Sequence, residues 1–216
     1  MADLDFKVVA VKAAAKALTP LLQFELRITA PGTTQIQALL LSAQIQIQPP
    51  QRAYSGREKE MLVELFGAPK QWGQTLRNRL WAHVNATVGA VEGQAVTTLT
   101  VPCSYDLNIA TTKYFYALED GEVPLLFLFS GSAFYLSKEG RLQVERISWE
   151  KECAYRMPIS HWRELMEEHY PNSAWIQLRK DVFERLYEYR RLHGLADWEA
   201  TVERLIEAGR NEEVPA

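Results

Sequence analysis

The chain has 216 residues, of which 47% are hydrophobic and 24% charged, a balance typical of one large globular domain or a domain with an appendage. Its formal net charge of −3 argues against nucleic-acid binding, which requires a clustered basic face. The apolar stretch 123–137 carries no charged residue but is shorter than the roughly 20 residues of a membrane-spanning helix, so we expect a cytoplasmic protein with reduced thiols and no membrane span.

The first 150 residues show apolar side chains at every second position, a pattern typical of half-buried strands. Strands are predicted at residues 4–11, 22–29, 38–48, 99–109, 113–118 and 123–129, and a hairpin with its tip at Glu139 and Gly140. One helix interrupts them, beginning after the cap residue Ser55 and ending at Gly67. The pattern predicts a mainly β fold with α-helices, an antiparallel β-sandwich of about eight strands with one inserted helix over residues 1–150.

After residue 151 the apolar period changes to 3.6, which indicates three amphipathic helices. The first follows Pro158, the second is expected to begin at the caps Asn172 and Ser173, and the third follows Ala196. Residues 151–216 are therefore predicted to form a helical C-terminal cap packed on the sandwich. The sequence leaves open whether the two parts are one continuous domain.

Cys103 is one of two cysteines and stands three residues before Asp106 in the segment VPCSYDLNI. Apolar residues occupy the odd positions from Leu99 to Ile109, which places Cys103 on the core side of a strand. Pro102 can shift this phase by one residue, so a reactive thiol at Cys103 is kept as an alternative. The sequence does not decide whether Cys103 and Cys153 pair.

Metal and partner sites have few candidates. His161, Glu164 and Glu168 share one helix face at spacings that suit a divalent ion, but solvated charge is also expected on that face. The preferred hypothesis is therefore no metal. No phosphate-binding or nucleotide-binding motif occurs, and no cofactor or catalytic residue is expected.

Candidate partner-binding residues are two tyrosines and two arginines. Tyr114 and Tyr116 fall within the aromatic segment predicted as a strand, and tyrosine is enriched at protein interfaces. The competing explanation is that the C-terminal helices of the same chain cover these two tyrosines. Arg77 and Arg79 lie two residues apart and can bind an acidic group, although surface arginines on a connection explain them as well.

Three long segments carry a family resemblance: LFGAPKQWGQTL, VPCSYDLNIATTKYFYALEDGEVPLLFLFSG and PISHWRELMEEHYPNSAW. They resemble a family of bacterial proteins of unknown function, over nearly the whole chain. The resemblance implies genes that lie beside those of actinobacterial-type nickel–iron hydrogenases. It supplies no catalytic residues to carry over.

We therefore expect a non-enzymatic accessory or interaction protein, with hydrogenase subunits as the partner and hydrogenase assembly or maturation as the process. A nickel donor calls for a His-rich tract and an iron–sulfur carrier for four cysteines, and the chain has neither. The alternative is a small-molecule-binding or thiol-dependent enzyme with a pocket in the sandwich near Cys103.

Overall fold

The computed structural model describes residues 4–30, 36–106, 108–137 and 139–212, with residues 211 and 212 described by their backbone alone. Within these ranges eight strands form two antiparallel sheets, which confirms the predicted mainly β fold with added helices. The strands are β1 (Asp5–Ala13), β2 (Leu21–Thr29), β3 (Ile36–Ile47), β4 (Arg79–Val88), β5 (Gln94–Pro102), β6 (Glu122–Leu136), β7 (Leu142–Arg146) and β8 (Glu152–Pro158).

The helices lie between and after the strands. They are α1 (Gly56–Met61), α2 (Val63–Phe66), α3 (Trp72–Thr75), α4 (Ile109–Ala117), α5 (Ile159–His169), α6 (Lys180–Leu192) and α7 (Trp198–Glu212). The predicted helix start at Ser55 is confirmed, because its side chain accepts a hydrogen bond from the backbone N–H of Glu58 while the Glu58 carboxylate accepts one from the N–H of Ser55. Among the described residues, no helix is long and apolar enough to cross a membrane.

The two sheets share one core. The first sheet has the order β1-β2-β5, and the second has the order β4-β3-β6-β7, with β8 pairing to the first half of β6. Strand alternation sends one side of each sheet inward, so that Phe24 of β2 is fully buried. Its ring makes edge contacts with Trp81, Phe127 and Tyr155 of the second sheet at centroid distances of 5.9, 5.3 and 6.1 Å. These contacts join the two sheets across the core.

The predicted strand at residues 113–118 is wrong, because this segment lies in α4 and the turn after it. Asn108 begins the helix, and its side-chain oxygen accepts a hydrogen bond from the N–H of Thr111 at 3.0 Å. The strand predicted at 99–109 also ends at Pro102, where the chain leaves the sheet. Leu107, which belongs to the predicted apolar row, lies outside the described residues.

The C-terminal part differs from the sequence prediction in two places. β8 is a strand of the second sheet, although only helices were predicted after residue 151. The second C-terminal helix begins at Lys180 and not at Asn172 and Ser173, so residues 174–179 precede it without regular structure. Asn172 instead has a positive φ of 51°, which is incompatible with a helix start there.

The chain divides into two compact units, Met1–Ser173 and Ala174–Ala216. The first contains both sheets, including β8, and helices α1 to α5. The second contains α6 and α7. Compactness does not show which part folds by itself, so the predicted division at residue 150 stays a prediction.

Candidate functional site

An open groove of about 720 Å³ lies on the first unit between α1, α4 and α5, and we call it the α4–α5 groove. Tyr116 and Met61 stand at its surface, with 60% and 49% of their area exposed. Trp162 and Met166 of α5 are buried. The lining residues are Arg57, Met61, Tyr105, Tyr116, Ala117, Glu119, Trp162, Arg163, Glu164, Met166, Glu167 and Ser173.

Charged side chains surround this apolar surface. Arg57 lies 3.6 Å from the Glu119 carboxylate in an exposed ion pair. The Arg163 guanidinium donates to the backbone carbonyls of Leu118 and Glu119, which ties α5 to the end of α4. Glu164 and Glu167 add two further carboxylates one helical turn apart on α5. The groove therefore combines exposed aromatic and thioether groups with a slight excess of negative charge.

A buried ion pair fixes the end of α4 against α1. Arg52 donates from Nη2 to Oε1 of Glu58 at 2.6 Å, and only 8% and 3% of their side chains are exposed. The same guanidinium donates to the carbonyls of Asp120 and Glu122, and Oε1 of Glu58 accepts from the N–H of Glu119. This network holds the turn between α4 and β6, and with it one wall of the groove.

Tyr114, predicted as a partner-binding residue, is fully buried. Its hydroxyl lies 2.8 Å from that of Tyr54, which in turn donates to the carbonyl of Pro49 at 2.8 Å. Burial raises the pKa of Tyr54 to about 12 and also raises the pKa of Tyr114. Tyr114 therefore belongs to the core of this structure, and Tyr116 alone of the two predicted tyrosines lies at the surface.

The predicted arginine pair is divided by the structure. Arg77 is exposed on the connection before β4. Arg79 begins β4, where its guanidinium lies 4.9 Å from the ring centre of Phe66 and donates to the carbonyl of Leu65 at 3.3 Å. Arg79 is thus held by the α2 segment, and binding of an acidic group by the two arginines stays a prediction.

The three metal candidates lie on α5 as the sequence predicts. His161 is half-buried, whereas Glu164 and Glu168 are exposed. Within the described parts of the chain, no group of three or more His, Cys, Asp or Glu side chains is placed to hold a metal ion. Glu164 instead lines the α4–α5 groove.

Cys103 is 5% exposed and lies just after β5. Its thiol donates to the carbonyl of Val101 at 3.5 Å, and burial raises its pKa to about 12. A small cavity of about 190 Å³ adjoins it, with Trp81, His83, Thr111 and Trp162 among the lining residues. The cavity is large enough for a small organic molecule, but the thiol beside it is held in the unreactive protonated form.

We expect Cys103 to react with a maleimide at least about tenfold more slowly than Cys153 in the native protein, because the thiolate is the reacting species. Cys153 is half-buried, and its sulfur accepts a hydrogen bond from the N–H of Val8 at 3.3 Å. Labelling rates of Cys153→Ala and Cys103→Ala isolate each thiol, and denaturant provides the fully reactive control. Fast native labelling of Cys103 would support the thiol-dependent alternative.

Sequence reasoning found some groove residues and missed others. Tyr116 and Glu164 were identified individually, but as parts of different features. Arg57, Glu119 and Glu167 were missed, because their proximity depends on α4 being a helix. The one local signal was Asn108, whose residue type is favoured at helix N-caps.

Comparisons with solved structures give only distant similarity. The chain is similar to a β-glucosidase from Kluyveromyces marxianus at 9% identity and a TM-score of 0.28, over 72% of this chain and 15% of that one. It is similar to a late embryogenesis abundant protein at 11% identity and a TM-score of 0.30, over 72% and 71% of the two chains. For the ApaA protein from Bordetella pertussis the values are 12% and 0.26, over 73% and 95%.

No curated protein matches the sequence. A family model does match, and it covers residues 1–214. Its extent includes the whole sandwich, the α4–α5 groove and both C-terminal helices. The chain therefore belongs to the family of unknown function DUF6084.

Proposed function

We propose that this protein is a non-enzymatic, cytoplasmic accessory protein that binds a subunit of a nickel–iron hydrogenase during its assembly or maturation. The observation that carries the proposal is the α4–α5 groove, with Tyr116 60% exposed and Met61 49% exposed beside it. Tyrosine and methionine are enriched at the buried centres of protein interfaces. A hydrogenase subunit is proposed as the partner because the family resemblance implies that the genes of this family lie beside hydrogenase genes.

The groove favours a protein segment as the bound partner. Its two exposed apolar side chains suit an apolar anchor residue on that segment. Glu164 and Glu167 lie on the α5 wall and suit lysine or arginine residues next to the anchor, because complementary charge orients a partner. The fixed network around Arg52 and Glu58 keeps the α4 wall in place before binding, which reduces the entropy lost on association.

The alternative function is binding of a small molecule, or thiol chemistry, at Cys103. The 190 Å³ cavity supports a binding role, whereas the raised thiol pKa argues against a nucleophile. The labelling comparison of Cys103 and Cys153 tests whether the Cys103 thiol is reactive enough for thiol chemistry.

We expect Tyr116→Ala to weaken partner binding by about 2 kcal/mol, or roughly thirtyfold, because an exposed tyrosine at the centre of a docking surface is a typical hot spot. The measurement is affinity capture from a host that expresses the neighbouring hydrogenase genes, with each subunit quantified by mass spectrometry. Trp149→Ala is the matched control, since Trp149 is 84% exposed and does not line the groove.

Capture of a hydrogenase subunit by the wild type and by Trp149→Ala, with strong loss for Tyr116→Ala, would support both the function and the site. Equal capture by all three proteins would show that the docking surface lies outside the α4–α5 groove. The proposed function is wrong if no hydrogenase subunit is captured and a deletion strain matures the hydrogenase normally.

A further inference from the structure

Strand β7 forms an edge of the second sheet and carries exposed apolar side chains. Within the described ranges, β7 pairs with β6 on one side and with no strand on the other. Leu142 is 60% exposed and Val144 is 58% exposed. An edge strand with apolar side chains is a template for pairing with another strand, which most proteins prevent with charges, bulges or a covering segment.

The hydrogen-bond pattern shows which backbone groups of β7 point outward. Ser137 donates to the carbonyl of Arg141, and Ile147 donates to that of Gly131, at 2.8 and 3.0 Å. In an antiparallel pair, residues whose backbone groups bond to the neighbouring strand alternate with residues whose backbone groups do not. The backbone N–H and C=O groups of the odd-numbered residues of β7 therefore point toward β6. The N–H and C=O groups of Leu142 and Val144 therefore point away from β6.

The sequence of β7 is self-complementary when two copies run antiparallel. If the pair is centred on Gln143, Leu142 of one copy lies opposite Val144 of the other, and Arg141 lies opposite Glu145. One face then carries four apolar side chains and the other face carries two opposite-charge pairs, both of which stabilise cross-strand pairing. Centring on Val144 would place Leu142 opposite Arg146 and match no charges.

We propose that β7 pairs with β7 of a second copy of this chain, in a two-fold antiparallel arrangement centred on Gln143. Leu142 and Val144 then exchange two backbone hydrogen bonds at each end, which gives four across the interface. The second sheet continues from one copy into the other. Such an interface uses the same surface of both copies and closes on itself, so association stops at the dimer.

The first test is sedimentation velocity on the full chain across a micromolar concentration series. The wild type is expected to shift with concentration from 24.7 kDa toward twice that mass. Val144→Lys is expected to raise the dimer dissociation constant at least about tenfold, because each substitution acts twice in a two-fold interface. Val96→Lys is the matched control, since Val96 is 56% exposed on β5, which is an edge strand of the other sheet.

The second test uses charge exchange. The Arg141→Glu chain and the Glu145→Arg chain each place like charges opposite one another, so each alone is expected to be monomeric. A mixture of the two restores both opposite-charge pairs and is expected to form a heterodimer. Circular dichroism verifies that the variants are folded.

The proposal is overturned if the wild type stays at 24.7 kDa throughout the series. It is equally overturned if Val144→Lys dimerises as well as Val96→Lys, or if mixing the charge variants produces no association. These measurements use the isolated protein, so their outcome is independent of hydrogenase binding.

Discussion

Phe24→Ala is expected to lower the free energy of unfolding by about 3–5 kcal/mol. Phe24 is fully buried on β2 and contacts Trp81, Phe127 and Tyr155 of the facing sheet. Removing the ring takes away apolar burial and leaves a cavity where the two sheets meet, and rigid strands on both sides cannot close it. The loss is therefore expected at the upper part of the range for single substitutions.

Urea denaturation followed by circular dichroism measures this change. Trp149→Ala is the control, because Trp149 is a large aromatic residue that is 84% exposed, and its loss is expected to change the free energy by less than about 0.5 kcal/mol. A change below about 1 kcal/mol for Phe24→Ala would contradict the packing of the two sheets through this ring.

Glu58→Gln is the second large effect, with an expected loss of about 3–5 kcal/mol at neutral pH, because it leaves the buried Arg52 guanidinium without its counter-charge. The carboxylate also accepts from the N–H groups of Ser55 and Glu119, which an amide cannot reproduce at both oxygens. Burial alone would raise the pKa of Glu58. The N–H donors of Ser55 and Glu119 and the Arg52 guanidinium outweigh burial and hold this pKa below its ordinary value of 4.5.

The lowered pKa determines the pH dependence of this effect. A group with a lowered pKa in the folded state stabilises the protein fully above its unfolded pKa, and the stabilisation is lost as the pH falls through the folded value. The difference in unfolding free energy between wild type and Glu58→Gln is therefore expected to be constant above about pH 5 and to shrink below 4.5. A difference that grows toward acid pH would contradict the assignment of Glu58 as an ionised partner of Arg52.

The sandwich strands were predictable from the sequence because their signal is local. On β2 the side chains of Leu22, Phe24, Leu26 and Ile28 alternate with polar ones, and all four are fully buried. Leu99, Val101 and Cys103 are buried in the same way, although the strand ends at Pro102. In these segments the apolar residues at every second position are the residues that the fold buries.

Helix α4 was not predictable from the same kind of signal. Its segment is rich in aromatic and β-branched residues, which favour strands, and it is apolar on more than one side. The helix forms because Asn108 caps it and because Tyr114 and Phe115 find buried positions. On a helix, residues two apart point about 200° away from each other, so Tyr114 enters the core while Tyr116 faces solvent.

The α4–α5 groove depends on this helix and on contacts between distant segments. Arg57, Tyr116 and Arg163 come from three different helices, and no spacing in the sequence links them. The hydrogen bond from Arg163 to the Leu118 carbonyl joins positions that are 45 residues apart in the sequence. Such a site requires the assembled fold, whereas α1 and α5 by themselves can be predicted from their patterns.

Site-specific photo-crosslinking tests the central claim, that the α4–α5 groove binds a hydrogenase subunit, most directly. A photoreactive phenylalanine analogue replaces Tyr116 in one protein and Trp149 in another, and both are irradiated in cells that express the neighbouring hydrogenase. We predict that a hydrogenase subunit is crosslinked from position 116 and not from position 149. Equal crosslinking from both positions, or no hydrogenase subunit from position 116, would contradict the claim.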